Sequence, residues 1–402
     1  MAATTLFVFK RRTALGLSAL LFFAVFAFGA TDPWAFPVVA GALLALIALW
    51  ALRMLRHPYR VTLSWFYLPL ALAPAAGAAQ LLLGRTASRY HTSTEVGWWI
   101  AYLVFFVLAV NVLDDVALRR SVQRRLAYLG GAVSAVAIVQ WLVSPRAAYG
   151  FREAPAATIF GPFADADNFA FLIELLFPGA LLLAFRSGER RLPMLICCAL
   201  MIAGVALSGS TLGQAVVAGE FVIGLGVAMF LAARSLTGRA LGKQAFLTVV
   251  GAAAVALTVI IGFGADEIRE RLELGLDPIE TPGAFVLNRA DVLDTSWRLI
   301  QQQPALGHGL GAFAPAFATA VPRRDGVHWE HGYSDPVELA VELGAAGIAL
   351  QLIVVALMLA ARRDLRAWIS FVLPLAVFWA HSWVRSPMRS PALVLAALTV
   401  LA

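Results

Sequence analysis

Four carboxylates, those of Glu174, Glu220, Glu338 and Glu342, fall inside long apolar runs. An ionisable group in such a run is costly to keep and is a functional candidate. At a rise of about 1.5 Å per residue, each lies in roughly the outer third of its run. Glu338 and Glu342 are four residues apart and so share a helix face. Four acids at one depth on three helices predict a single water-filled cavity open to the outside. The competing reading makes each a hydrogen-bonded structural residue near an interface.

The stretch from Asn288 to Gly347 concentrates the remaining reactive side chains. His331 stands just outside a predicted helix N-terminus, where an imidazole could take a proton from a hydroxyl near neutral pH. His308 and His328 compete for that role on composition alone, and a histidine in a loop is commonly a solvated bystander. Arg289, with Arg323 or Arg324, offers forked donors suited to a diphosphate; pairing with the abundant loop acids is the alternative. Asp165-Ala-Asp167 resembles the Asp-x-Asp of metal-dependent sugar-nucleotide transferases, but ahead of Asn168 it reads better as a helix cap. Gly307, Gly309 and Gly311 read as a flexible turn and not a phosphate loop, since no strand precedes them and no lysine follows.

The elements that must position these groups are membrane helices. The chain has 402 residues, 61% of them hydrophobic and 14% charged. That balance belongs to an all-α polytopic integral membrane protein, not to a soluble domain. About twelve spans are predicted, at 13–30, 35–52, 61–83, 96–113, 126–144, 168–185, 192–207, 214–233, 244–263, 336–361, 367–384 and 390–402, within a single membrane-embedded domain covering 1–402. The first span follows Lys10-Arg11-Arg12 and has Phe28 where a cleavage site needs a small residue, so it reads as uncleaved. The adjacent Cys197 and Cys198 are poor disulfide partners and say nothing of redox compartment.

Charge orients the bundle. With a cytoplasmic N-terminus, the inside loops 10–12, 53–60, 114–125, 186–191, 234–243 and 362–366 each carry three or four basic residues, and no short outside loop carries more than two. Both termini are then cytoplasmic, and the long loop 264–335 faces the far side. That loop holds eleven acids against six arginines, so a basic surface for nucleic acid is excluded and each arginine must act individually. Two helix signals lie in it. Asn288 precedes a helix that Pro304 stops, with Leu293, Trp297 and Ile300 as its apolar stripe and Arg289 on the same stripe. Asp335-Pro-Val-Glu338 reads as an N-cap, a proline at the first turn and an answering carboxylate.

In order and spacing, several segments together resemble the O-antigen ligase and polymerase family. They are Arg289 with Trp297, then Pro304-Ala-Leu-Gly307-His-Gly309-Leu-Gly311-Ala-Phe313, His331, and Glu342-Leu-Gly344-Ala-Ala-Gly347. Gly161-Pro-Phe163 through Asn168-Phe-Ala170 with Phe177-Pro178, and His381-Ser-Trp-Val with Pro391, fit two further family segments. The resemblance implies a cofactor-free, metal-independent, inverting glycosyltransferase of the bacterial inner membrane. It would move a glycan from an undecaprenyl-diphosphate carrier to an acceptor hydroxyl, on lipid A–core or another glycan or protein, at the periplasmic face. On that view His331 matches the family's essential histidine and Arg289 its diphosphate-binding arginine, with Glu174, Glu220, Glu338, Glu342, Asn168 and His381 in support.

Three departures stand out. Gly332 replaces the asparagine that usually follows the histidine; Ser208-Gly-Ser210-Thr211 lacks the arginine of the usual Ser-Arg-Gly; Arg385-Ser386 replaces a terminal Asp-Phe. Arg385, or else Arg152, is the expected substitute for the missing charge. Polymerase and protein O-glycosyltransferase readings share this chemistry. A secondary transporter is the alternative of another class, disfavoured by the absence of an inverted repeat and by the long structured loop.

Overall fold

The computed structural model describes residues 2–145, 147–153, 159–185, 191–233, 289–321, 331–360 and 371–402. The expected span 244–263, Arg323, Arg324, His328, and in whole or part the loops 186–191, 234–243, 264–335 and 362–366 lie outside these residues.

The described chain is mostly helical. The first eight helices are α1 (Ala2–Phe26), α2 (Ala35–Arg56), α3 (Tyr67–Leu82), α4 (Arg89–Val112), α5 (Val116–Val143), α6 (Ala166–Ala184), α7 (Arg191–Leu207) and α8 (Thr211–Ala233). After the undescribed segment come α9 (Arg289–Gln302), α10 (Phe313–Ala320), α11 (Asp335–Leu343), α12 (Ala345–Ala360), α13 (Leu373–His381) and α14 (Pro391–Leu401). Helices α2, α4, α5 and α6 are long and apolar enough to cross a membrane, and α3, α7, α12 and α14 are shorter apolar helices. Their starts follow local chemistry: Ser88 accepts from His91 N, Asp115 from Ala117 N and Leu118 N, and Asp165 from Asp167 N, each satisfying donors that the first turn leaves free.

Burial ranks the helices. Within their most apolar stretches α6 is 72% buried and α2 only 17%, so α6 is central and α2 peripheral. Phe105, Phe106, Phe169, Phe171 and Phe177 fill the space between α4, α6 and their neighbours. The segment α9–α10 docks on α11 through a second small core of Val292, Leu299, Phe313, Phe317 and Val341.

The connections sort to two ends. At one end Lys10 pairs with Asp114, Arg125 donates to Ser18 Oγ, and Asn111 bonds to the backbone of Thr62. At the other, Asp32 meets Arg152, Ser210 meets Asp167, Ser390 meets the Gly29 carbonyl, and Asp335 N meets the Ser382 carbonyl. A two-residue hairpin, β1 (Ala147–Ala148) with β2 (Arg152–Glu153), also belongs to this second end, because Tyr149 at its tip donates to the Phe26 carbonyl.

Four expectations require correction. The span 336–361 is not one helix: Gly344, at φ 59° and ψ −135°, separates α11 from α12. The break is filled by the turn 304–311, which bonds His308 N to Val341 O, Gly309 N to Glu342 O and Ala345 N to Pro304 O. That turn is not flexible; a side chain at Gly307 would meet the Glu342 carbonyl at 2.4 Å. The buried stripe of α9 is Val292, Ser296 and Leu299, while Trp297 is 58% exposed. Finally, Ser334, not Asp335, stands at the N-cap of α11, and the Asp335 carboxylate instead accepts from Met388 N.

Candidate functional site

The segment 382–390, between α13 and α14, is held against the N-terminus of α11. Asp335 N donates to the Ser382 carbonyl at 3.0 Å, and Met388 N donates to Asp335 Oδ2 at 2.9 Å. This docking drives Arg389, in the turn Pro387–Arg389, onto the acidic face of α11. Its Nε donates to Glu338 Oε2 at 2.6 Å, and a terminal nitrogen lies 2.5 Å from both Glu338 Oε2 and Glu342 Oε1. One guanidinium thus bridges the two carboxylates that helix periodicity places on one face. Glu95, on α4, lines the same cavity and lies within electrostatic reach. Burial opposes the charge on Arg389, but the Glu338, Glu342 and Glu95 carboxylates outweigh it and raise its pKa well above the usual range.

Glu338 is the most heavily engaged group. Besides Arg389 it accepts from Ser386 Oγ at 2.6 Å and from Gly332 N at 2.7 Å. The Gly332 contact brings the chain just before α11 back over the helix, and His331 comes with it. His331 Nδ1 is 3.9 Å from Glu338 Oε2, its side chain 46% exposed against 1% for Glu338. Tyr333, two residues on, has φ 56°, a left-handed conformation costly for an aromatic residue. The expected histidine therefore sits at the surface with a buried, fully bonded carboxylate behind it. His308, its competitor, faces the Leu299 carbonyl at 2.9 Å inside the 304–311 turn.

Arg385 meets a different partner. Its Nε is 2.5 Å from Asp167 Oδ2, while Asp167 Oδ1 accepts from Ser210 Oγ at 2.6 Å. Arg385 thus reaches the segment 208–211, where the sequence lacks an arginine, and its side chain remains 45% exposed. Asp165 caps α6, as its position suggested, and Asn168 N completes that turn by donating to the Asp165 carbonyl. Arg152 lies apart, in a two-pronged pair with Asp32 at 2.5 and 2.8 Å. Arg289 opens α9; its side chain lies outside the described residues.

The four carboxylates do not share one cavity. Glu338 and Glu342 join Arg389, whereas Glu174 lies on α6 with both oxygens 3.1 Å from His381 Nδ1, under a Phe171 ring whose centroid is 4.1 Å from that of the imidazole. Glu220 is buried near Glu174, and neither its oxygens nor His381 Nε2 have a hydrogen-bond partner among the described residues. The segment 382–390, which follows directly on His381, connects the two groups.

Beside Arg389 a largely apolar cavity opens between α3, α4, α11, α12, α13 and α14. Glu95, Glu342, Asp335 and Arg389 form its polar end, and Leu350, Val354, Met358, Leu398 and Leu401 are among its apolar lining. From Arg389 to Leu401 the wall follows α14 for roughly 15 Å.

Arg389, Ser386, Glu95 and Gln80 escaped the sequence reading. Gln80 was detectable, since it stands in an apolar run; its amide donates to the Leu306 and Glu342 carbonyls, and its oxygen accepts from Leu310 N. Arg389 shares a short segment with Arg385, the arginine expected to supply the missing charge, and the docking of 382–390 gives the two different partners.

Long apolar helices around an aromatic core, with carboxylates, arginines and a half-exposed histidine gathered at one end, define a helical membrane protein with a polar site at the end of its bundle. Residues 196–352 match the family model for O-antigen ligase. The matched segment includes Arg289, His331, Glu338 and Glu342; Glu174, His381, Arg385 and Arg389 lie outside it. No curated protein matches the chain.

Proposed function

We propose that this protein transfers a glycan from an undecaprenyl-diphosphate carrier to an acceptor hydroxyl at the extracytoplasmic face of the inner membrane, without a metal or cofactor. The observation that carries the reading is His331 held over a buried, multiply bonded Glu338 whose ion-pair partner, Arg389, lines an apolar cavity. The acceptor oxygen attacks the anomeric carbon as the bond from that carbon to the diphosphate oxygen breaks. The hydroxyl proton passes to His331, and the diphosphate leaves with the bonding electrons. Glu338 orients the imidazole and favours its protonated form, and the exposed edge of His331 returns the proton to water.

The leaving diphosphate needs a cation not already neutralised. Arg389 is committed to Glu338 and Glu342, and Arg152 to Asp32. Arg385 meets Asp167 through its Nε, whereas Arg152 is gripped by Asp32 through both terminal nitrogens, which makes Arg385 the favoured clamp among the described arginines, alongside Arg289. The apolar cavity running down from the polar end suits the polyprenyl tail.

His331→Ala and Arg289→Ala should each abolish transfer from a lipid-linked glycan without lowering expression. Full activity in either variant removes that residue from the mechanism. Trapping of diphosphate-lipid on the purified protein supports the enzyme. Solute uptake into proteoliposomes, lost in Glu220→Gln, would support the transporter instead.

A further inference from the structure

The end of the bundle that holds His331 carries a second feature, built from aromatic rings on strained backbone. Phe28, Gly29 and Ala30 take φ of 56°, 73° and 58°, three consecutive left-handed residues, and Tyr149 at the hairpin tip takes φ 53°. Each such non-glycine residue costs on the order of 1–2 kcal/mol. Of the four non-glycine residues with positive φ among those described, three lie here and the fourth is Tyr333, beside the candidate base. Strain of this kind persists where the surroundings enforce it, and it concentrates at ligand clamps.

What the strain produces is a rigid aromatic surface. Phe28 meets Tyr149 edge-on at 5.4 Å and Phe151 edge-on at 6.2 Å, while Tyr149 and Phe151 lie nearly parallel, 6.1 Å apart and 22° inclined. The Tyr149 hydroxyl is tied to the Phe26 carbonyl at 2.7 Å, and burial pushes its pKa up to about 12, so it stays a neutral donor. Phe151, supported by the other two rings, is 74% exposed. Next to it the Arg152 guanidinium lies 4.4 Å over Phe28 and pairs with Asp32, presenting charged donors and acceptors at the edge of an apolar face. The platform is joined to the candidate active site: the Gly29 carbonyl accepts from Ser390 Oγ, one residue after Arg389.

We infer that Phe151, backed by Phe28 and Tyr149 and flanked by Arg152 and Asp32, is a carbohydrate subsite that stacks a pyranose ring of the glycan handled at His331. A pyranose has one face of C–H bonds and a rim of hydroxyls; it needs an exposed aromatic face beside polar groups, and this surface supplies both. A core role does not account for a phenylalanine left 74% exposed. A membrane-interface role would favour tyrosine or tryptophan, whose polar tips reach the headgroups, over phenylalanine next to an ion pair. The inference rests on the glycosyl-transfer reading for the origin of the sugar.

The test is saturation-transfer NMR on the full chain in lipid nanodiscs, with maltohexaose, cellohexaose and chitohexaose as lipid-free probes. At least one probe should bind through its ring protons. Phe151→Ala should weaken that binding about tenfold, the size expected when a stacked ring is lost, while Phe151→Tyr retains it. Gly41→Ala, on α2 with nothing within 4 Å of the added methyl, should leave it unchanged. No binding by the unaltered protein, or undiminished binding in a folded Phe151→Ala protein, overturns the subsite. Because binding is read without turnover, a chain that binds sugar but transfers nothing would defeat the transferase reading alone, and the reverse result would defeat only the subsite.

Discussion

Arg385 and Arg389 stand four residues apart in the segment between α13 and α14, yet their electrostatic surroundings are opposite. Arg389, 20% exposed, is clamped between Glu338 and Glu342, whereas Arg385, 45% exposed, pairs among the described residues with the Asp167 carboxylate. The first is an anchor and the second an available cation. Arg389→Ala should lower stability by roughly 3–5 kcal/mol, because it strands two buried carboxylates. Arg385→Ala should change stability by less than about 1 kcal/mol, as for other exposed pairs, but abolish transfer. Thermal unfolding of the purified proteins beside a transfer assay separates the two, and equal melting losses would refute the division.

Glu338 acts through His331. Glu338→Gln keeps the shape but removes the charge behind the imidazole, so kcat should fall by roughly 10²- to 10⁴-fold, the usual worth of a positioned acid–base group, with KM for the glycan donor little changed. Ser386→Ala removes a single bond to Glu338 and should cost about 1 kcal/mol of stability. A Glu338→Gln enzyme whose KM rises while kcat holds would place Glu338 in substrate binding instead.

Gly344→Ala should unfold the junction between α11 and α12. A Cβ there would stand 2.6 Å from the Pro304 carbonyl oxygen, on a backbone at φ 59°. The strain alone is about 1–3 kcal/mol, and the seat of the 304–311 turn is lost with it. Gly41→Ala in α2 is the control: nothing lies within 4 Å, and stability should rise by roughly 0.5–1 kcal/mol. Comparison of the two melting midpoints checks the claim, and a neutral Gly344→Ala would contradict it.

The Asp32–Arg152 pair makes the aromatic platform acid-sensitive. The Arg152 hydrogen bond beside Asp32 holds its carboxyl below the usual range, so the pair's contribution is complete above the ordinary aspartate pKa of about 3.9. It disappears as the pH falls through the lowered folded value. Both side chains are partly solvated, which keeps the effect small. The melting difference between the unaltered protein and Asp32→Asn should stay constant from neutrality down to about pH 5 and shrink below that. A difference that grows on acidification would mean the pair does not form.

Composition and local pattern determined a good deal of this protein. Apolar runs too long and too poorly charged for a soluble core marked the helices. The cap at Asp165, the start of α9 at Arg289 and the pairing of Glu338 with Glu342 on one face followed from residues within a few positions of each other. His331 was placed at the mouth of α11 by the same short-range logic. What local pattern could not decide was which distant groups meet. The break at Gly344 depends on a turn some 35 residues earlier filling it, and the stripe on α9 depends on which face meets α11. The division of the four acids into two clusters depends on Arg389 and His381 arriving from opposite ends of one segment. Those are contacts between charges and shapes brought together by packing, and packing depends on the whole bundle at once, so only the tertiary structure settled them.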